Sequence, residues 1–137
     1  MGLDNGIVVK SNKRPITRAD LPNLHFPFTS DYSDTEVEIA YARKCWGLRS
    51  DLINSIDWDE VSSNGCYFRI YNPDLVYDVI NVVAGWLDED RWDDDGDSIW
   101  NFDQAKHNLI NWIVNLSCMI LIMEKNPDIY LEFYDSY

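Results

Sequence analysis

Residues 126–134 read Asn-Pro-Asp-Ile-Tyr-Leu-Glu-Phe-Tyr, and the fold class turns on them. Ile129, Leu131 and Phe133 alternate with Tyr130, Glu132 and Tyr134, the period of a strand with two unlike faces. Immediately upstream, Leu109 to Met123 is the most apolar run of the chain, and Asn126-Pro127 stops it, because proline disfavours helix at the residue before it. A long helix capped by Asn101 or Asp103 and ending near Lys125 therefore passes directly into a closing strand. Such a change of period within a few residues belongs to an α+β domain.

Working outward, Asn72-Pro73-Asp74 is a helix start: Asn caps, Pro needs no donor there, and Asp74 suits the positive end of the dipole. Leu75, Val79, Val82, Val83, Trp86 and Leu87 make its buried face. Before it, Asn64-Gly65 turns the chain into a strand, Cys66 to Tyr71, with Cys66, Phe68 and Ile70 on one side and Tyr67, Arg69 and Tyr71 on the other. Thr35-Glu36-Val37-Glu38 has capping-box spacing, and Tyr41, Cys45, Leu48, Leu52 and Ile56 recur at helical spacing, so a first helix is expected from Thr35 to about Ile56. The turn-like Asp4-Asn5-Gly6 opens a first strand, Gly6 to Ser11. Residues 12–34 form a connection with Pro15, Pro22 and Pro27, pinned by Ile16, Leu21, Leu24, Phe26 and Phe28. The expected order is β-α-β-α-α-β, about three strands on three helices in a single α+β domain over 1–137.

Charge divides the chain. Up to Arg49 there are seven Lys or Arg and six Asp or Glu; from Ser50 onward there are four basic residues and 18 acidic ones, out of a formal net charge of −13. A composition 46% hydrophobic and 14% aromatic is ample for a core, so a folded body carries this acidity. It repels nucleic acid and anionic membrane surfaces, so partners are expected to be basic and no direct nucleic-acid or membrane binding is expected. The densest run, 88–97, holds Asp88, Glu89, Asp90, Asp93, Asp94, Asp95 and Asp97 against Arg91, in an expected exposed loop over 88–100. An EF-hand with Gly96 at its sixth position would place Arg91 first and Phe102 at the bidentate Glu position, so the pattern fails at both ends and no metal is expected. The run reads either as a solvated loop or as an electrostatic docking patch that speeds encounter with a basic partner.

Catalytic residues are not found. His25 falls in the Pro-rich connection and His107 in the last helix, and the chain has no P-loop, GxGxxG or HExxH. The reading is of a non-enzyme without cofactors. Cys45, Cys66 and Cys118 lack metal or redox spacing, which suits reduced thiols in a cytosol.

Two constellations remain. Gln104, Asn108, Asn111 and Asn115 form an amide stripe on the last helix, either its solvent face or a contact face. If the second and last strands are neighbours, Tyr67, Arg69, Tyr71, Tyr130, Glu132 and Tyr134 share one face, with Arg69 and Glu132 paired among tyrosines. This face is an aromatic platform if helices cover only the other side, and ordinary core if a helix covers it.

Met1-Gly2-Leu3-Asp4 together with Glu38-Ile39-Ala40-Tyr41-Ala42-Arg43-Lys44 resembles a family of small, uncharacterised phage and prophage proteins that begin Met-Gly-Leu-Asp and carry Glu-x-Ala-Tyr-Trp-Arg-Lys in an early helix. The resemblance covers about the first 50 residues, with Ala42 where the family tends to Trp, and implies a mobile-element origin. The expected function is that of an acidic inhibitor or adaptor in the host cytosol, docking on a basic host protein of the nucleic-acid-binding kind, with mimicry of nucleic acid as the mechanism. The alternative is a small anionic-ligand binder or enzyme in which Arg43 and Lys44 join the tyrosine platform. Mimicry needs an exposed row of carboxylates; the ligand reading needs a concave site where cations converge.

Overall fold

The first and last strands pair in the middle of the molecule. In the computed structural model, which describes residues 4–21, 23–24, 37–43, 45–60, 67–88 and 102–136, β1 (Asp4–Ser11) runs antiparallel to β5 (Ile129–Ser136) along its whole length. On the far side of β1 lies β2 (Val37–Arg43), and on the far side of β5 lie β4 (Tyr67–Ile70) and the two-residue β3 (Asp59–Glu60). The five-stranded sheet has the order β2-β1-β5-β4-β3, with every neighbouring pair antiparallel. Its central pair joins residues more than a hundred positions apart, so the sheet cannot close until the last strand is in place.

Three helices, α1 (Trp46–Ser55), α2 (Asp74–Gly85) and α3 (Phe102–Lys125), bury the face that carries Ile7, Val9, Phe68, Ile70, Leu131 and Phe133. The buried apolar residues on this side form one cluster, which Val8 and Tyr130 do not join. Trp58 closes it beneath α1: its indole N–H donates to the Leu52 carbonyl (2.8 Å), and its ring lies 5.5 Å from that of Phe133. Ile16, Leu21 and Leu24 of the proline-containing connection are buried there as expected, whereas Phe26 and Phe28 lie outside the described residues.

The order of elements is β-β-α-β-β-α-α-β, and two corrections follow from it. The helix expected from Thr35 to Ile56 is a strand followed by a shorter helix: Val37–Arg43 pairs with β1, and α1 starts only at Trp46. The pairing of β2 contains a bulge between Ile7 and Val8 that leaves Ile39 out of register, so the strand shows no clean alternation to a reader of the sequence. The three expected strands are present, but β2 and β3 make the sheet five-stranded.

The ends of α2 and α3 form as their residues dictate. The Asn72 side-chain oxygen accepts from the Asp74 N–H (2.9 Å) at the expected start of α2, whose helical residues begin at Asp74, one position later than expected. At the end of α3, both the backbone N–H of Asn126 (3.0 Å) and its side-chain amide (2.9 Å) donate to the Ile122 carbonyl. Of the amide stripe on α3, Asn108 and Asn111 are half-exposed, but Asn115 is fully buried and its amide donates to the Ile39 carbonyl (2.7 Å), while the Trp112 indole donates to the Tyr41 carbonyl (2.9 Å). These two donors satisfy carbonyls of the outermost strand, blunting an edge that would otherwise offer pairing to another chain.

Candidate functional site

β4 and β5 are neighbours, and their register sets Tyr67 opposite Tyr134 and Arg69 opposite Glu132. The six residues expected to share a face do share it, on the side away from the three helices. Glu132 is almost wholly buried, at 3% exposure, and both its oxygens are engaged: Lys10 Nζ donates to Oε2 (2.6 Å) and Arg69 Nε donates to Oε1 (3.0 Å). The Arg69 guanidinium lies over the Tyr130 ring, 4.8 Å from its centroid, and donates to the Tyr71 hydroxyl (3.3 Å). That hydroxyl first, and then Glu132, raise the guanidinium pKa above its ordinary value against the opposing effect of burial. Tyr71 and Tyr130 rings are 5.0 Å apart, and the Tyr134 hydroxyl donates to Glu38 (2.9 Å) on β2. Gly6 makes that last bond possible, because a Cβ there would stand 3.0 Å from the Tyr134 ring and closer still to the Ala40 carbonyl.

Lys10 escaped the sequence reading. It enters this face because β1 pairs with β5, Lys10 standing opposite Tyr130, a long-range register that no local signal announces. Arg43 ends β2 opposite Asp4 and is not on a helix; Lys44 lies outside the described residues. The two cations found beside the tyrosines are thus Lys10 and Arg69, and both converge on a protein carboxylate rather than on a hollow. Tyr67 and Tyr71 are the half-exposed members of the face.

The second surface is acidic. Of the run that carries the docking expectation, Asp88 is described and exposed, while Glu89, Asp90, Asp93, Asp94, Asp95 and Asp97 lie outside the described residues. Asp88 continues a row that the sequence reading did not single out. Asp74 and Asp78 stand one turn apart on the exposed side of α2, opposite the buried Val76, Val79 and Val83, and Asp88 is exposed three residues past the helix end. Tyr77, the most exposed aromatic among the described residues at 53%, sits beside this row. A groove of about 290 Å³ runs between α1 and α2, lined by Asp51, Ser55, Asn81, Val82 and Gly85 without any cation. Trp86 ties the two helices together: its indole N–H donates to Asp51 (2.7 Å), and its ring packs so closely on Gly47 that a Cβ there would stand 2.4 Å away.

His107 is exposed on α3, and Cys45 and Cys118 are thiols outside any disulfide, buried and half-buried. Among the described residues no helix is long and apolar enough to cross a membrane, and no three His, Cys, Asp or Glu gather in a way that could hold a metal ion. No family model matches this chain, and no curated protein or solved structure matches it either.

Proposed function

We propose that this chain is a protein-docking module, an inhibitor or adaptor that seats an acidic face on a basic surface of a nucleic-acid-binding partner. The observation that carries this reading is the exposed pair Asp74 and Asp78 on α2 together with the exposed Asp88 just past its end, which leads in sequence into the run holding Glu89, Asp90, Asp93, Asp94, Asp95 and Asp97. Carboxylates fixed along a helix offer a Lys/Arg-lined groove the repeated negative charge that it meets along a duplex. Tyr77 beside the row adds an aromatic surface on which an arginine can stack. A net charge of −13 steers such a partner from a distance and keeps nucleic acid itself away. The resemblance of the first 50 residues to phage and prophage proteins agrees with this role, and the host cytosol is the setting it assumes. The anionic-ligand alternative draws no support from the tyrosine face, whose cations Lys10 and Arg69 are both taken up by Glu132.

The test begins with the partner recovered from host lysate by the full chain. Replacing Asp74, Asp78 and Asp88 together by Asn should slow association about tenfold at low salt and less at high salt, with a smaller change in the off-rate, because exposed charge acts mainly on encounter. DNA should compete with the chain for the partner. An unchanged on-rate at low salt, or a partner that binds DNA and this chain at once, overturns the proposal.

A further inference from the structure

Two helices end at one groove. Ser55 is the last residue of α1 and Gly85 the last of α2, and both line the opening of about 290 Å³ between them. The last turn of a helix carries the negative end of its dipole and favours a cation, yet neither of these last turns contains a basic residue. The walls suit the same charge. Asp51 and Ser55 stand one turn apart on α1, and Asn81 and Gly85 one turn apart on α2, so a carboxylate and a hydroxyl line one side and an amide the other. Val82 adds an apolar wall, and Gly85, without a side chain, leaves room beside it. The Trp86 indole holds Asp51 in place (2.7 Å), and a carboxylate accepts several hydrogen bonds at once. Asp74, Asp78, Asn81 and Gly85 follow one another at intervals of four, three and four residues, so the exposed carboxylates of α2 and the groove share one stripe of the helix.

The geometry points to this groove as the anchor site for one arginine side chain of a basic protein partner, its guanidinium on Asp51 and its stem along Val82. That the partner is a basic protein rests on the docking reading above; the groove adds the place where such a partner is held. The volume is at the lower end of the range of ligand pockets, which suits one long side chain. Arginine is favoured over lysine because its planar fork of five donors reaches acceptors on both walls, whereas an ammonium is a single point of charge. An anchor seated between two helices acts on the off-rate, while the exposed Asp74 and Asp78 act on encounter.

Amide NMR spectra of the full chain titrated with acetyl-arginine amide test the groove without the partner. Shifts at Asp51, Ser55, Asn81, Val82, Gly85 and the Trp86 indole N–H should saturate with a dissociation constant on the order of 10 mM, the strength of one charge-assisted contact. The neutral isostere acetyl-citrulline amide should bind at least about tenfold more weakly, and acetyl-lysine amide more weakly than arginine. Asp51→Asn keeps an acceptor for the Trp86 indole, and Gly85→Leu fills the groove with a better helix former. Each should weaken binding about tenfold, the dispersion of the same spectra reading the fold of each variant, and each should raise the off-rate of the docked partner. Shifts that never saturate, citrulline or lysine bound as tightly as arginine, or binding untouched by both variants overturns the inference. A slowed on-rate for the Asp74, Asp78 and Asp88 variant with an off-rate unmoved by Gly85→Leu sinks the groove alone. An unchanged on-rate there, with the titration as expected, sinks the docking reading and leaves the arginine site standing.

Discussion

Glu132 and Asp135 lie three residues apart on β5 and face opposite sides of the sheet, both of them buried. Glu132 meets two cations, one for each oxygen, and those cations keep about a quarter of their own side-chain surface in water. Asp135 meets one: Arg49 Nε donates to Oδ2 (2.8 Å), while Oδ1 has no partner. Its cross-strand neighbour Asn5, fully buried, has both side-chain amide atoms unpartnered. Burial raises the Asp135 pKa, and Arg49 only partly opposes it. The cation of Asp135 is nearly as wet, Arg49 keeping 21% of its side-chain surface exposed, so the comparison teaches that what separates the two buried carboxylates is whether each oxygen has a partner. On the helix-covered side the same residue class leaves an unfinished polar pair, and each unsatisfied group there costs about 1–3 kcal/mol.

The sharpest way to break this contrast is to strip Glu132 of both cations. Lys10→Ala with Arg69→Ala should destabilise the fold by about 3 kcal/mol, because an unpaired buried carboxylate remains. Each single substitution should cost well under half of that, since the remaining cation still holds Glu132, and the excess of the double over the two singles measures their sharing. Urea denaturation reads all three. A double variant within about 1 kcal/mol of the wild type would mean that Glu132 finds water as easily as its partners do.

Arg49→Ala is expected to have a smaller effect, about 1–2 kcal/mol at neutral pH, because burial raises the Asp135 pKa and so eases uptake of a proton when the cation is lost. Denaturation midpoints at neutral and acid pH check this, and the penalty should shrink in acid, where no charge on Asp135 needs a partner. A penalty independent of pH would assign Arg49 a packing role only.

These pairs show where the sequence was legible. Alternation in Tyr67–Ile70 and Ile129–Tyr134 announced both strands and the Arg69–Glu132 pair, because period 2 survives in strands with one apolar face. Helices α2 and α3 were equally plain, through the Asn72-Pro73-Asp74 start and the Asn126-Pro127 stop. β2 was misread because Tyr41 on the strand continues, by coincidence of spacing, into Cys45 at the N-cap and Leu48 and Leu52 of α1, and the bulge at Ile39 hides the strand period. The two residues of β3 are too few to carry a pattern. Lys10, Asn5 and Arg49 were missed for another reason: their partners Glu132 and Asp135 lie 86 or more residues away, and only tertiary pairing unites them.

The smallest expected effect is also the most diagnostic. Asp135→Asn keeps an oxygen for Arg49 and offers an amide donor towards Asn5 in place of the unpartnered Oδ1, so it should stabilise the protein by about 1 kcal/mol at neutral pH. The sign follows from the raised pKa of Asp135. Between the ordinary carboxylate value and the raised one, the folded state holds a proton that the unfolded state has released. Its contribution to stability is therefore complete below that window and is lost as pH rises through it. Protonated Asp135 and neutral Asn present the same donor and acceptor, so wild type and variant should be equally stable in acid and separate as pH rises, the variant becoming the more stable. Urea denaturation of both proteins across this range is the measurement. Parallel curves, or a variant that falls below the wild type at neutral pH, would show that the Arg49 ion pair outweighs the cost of burial, and the two carboxylates of β5 would then be alike after all.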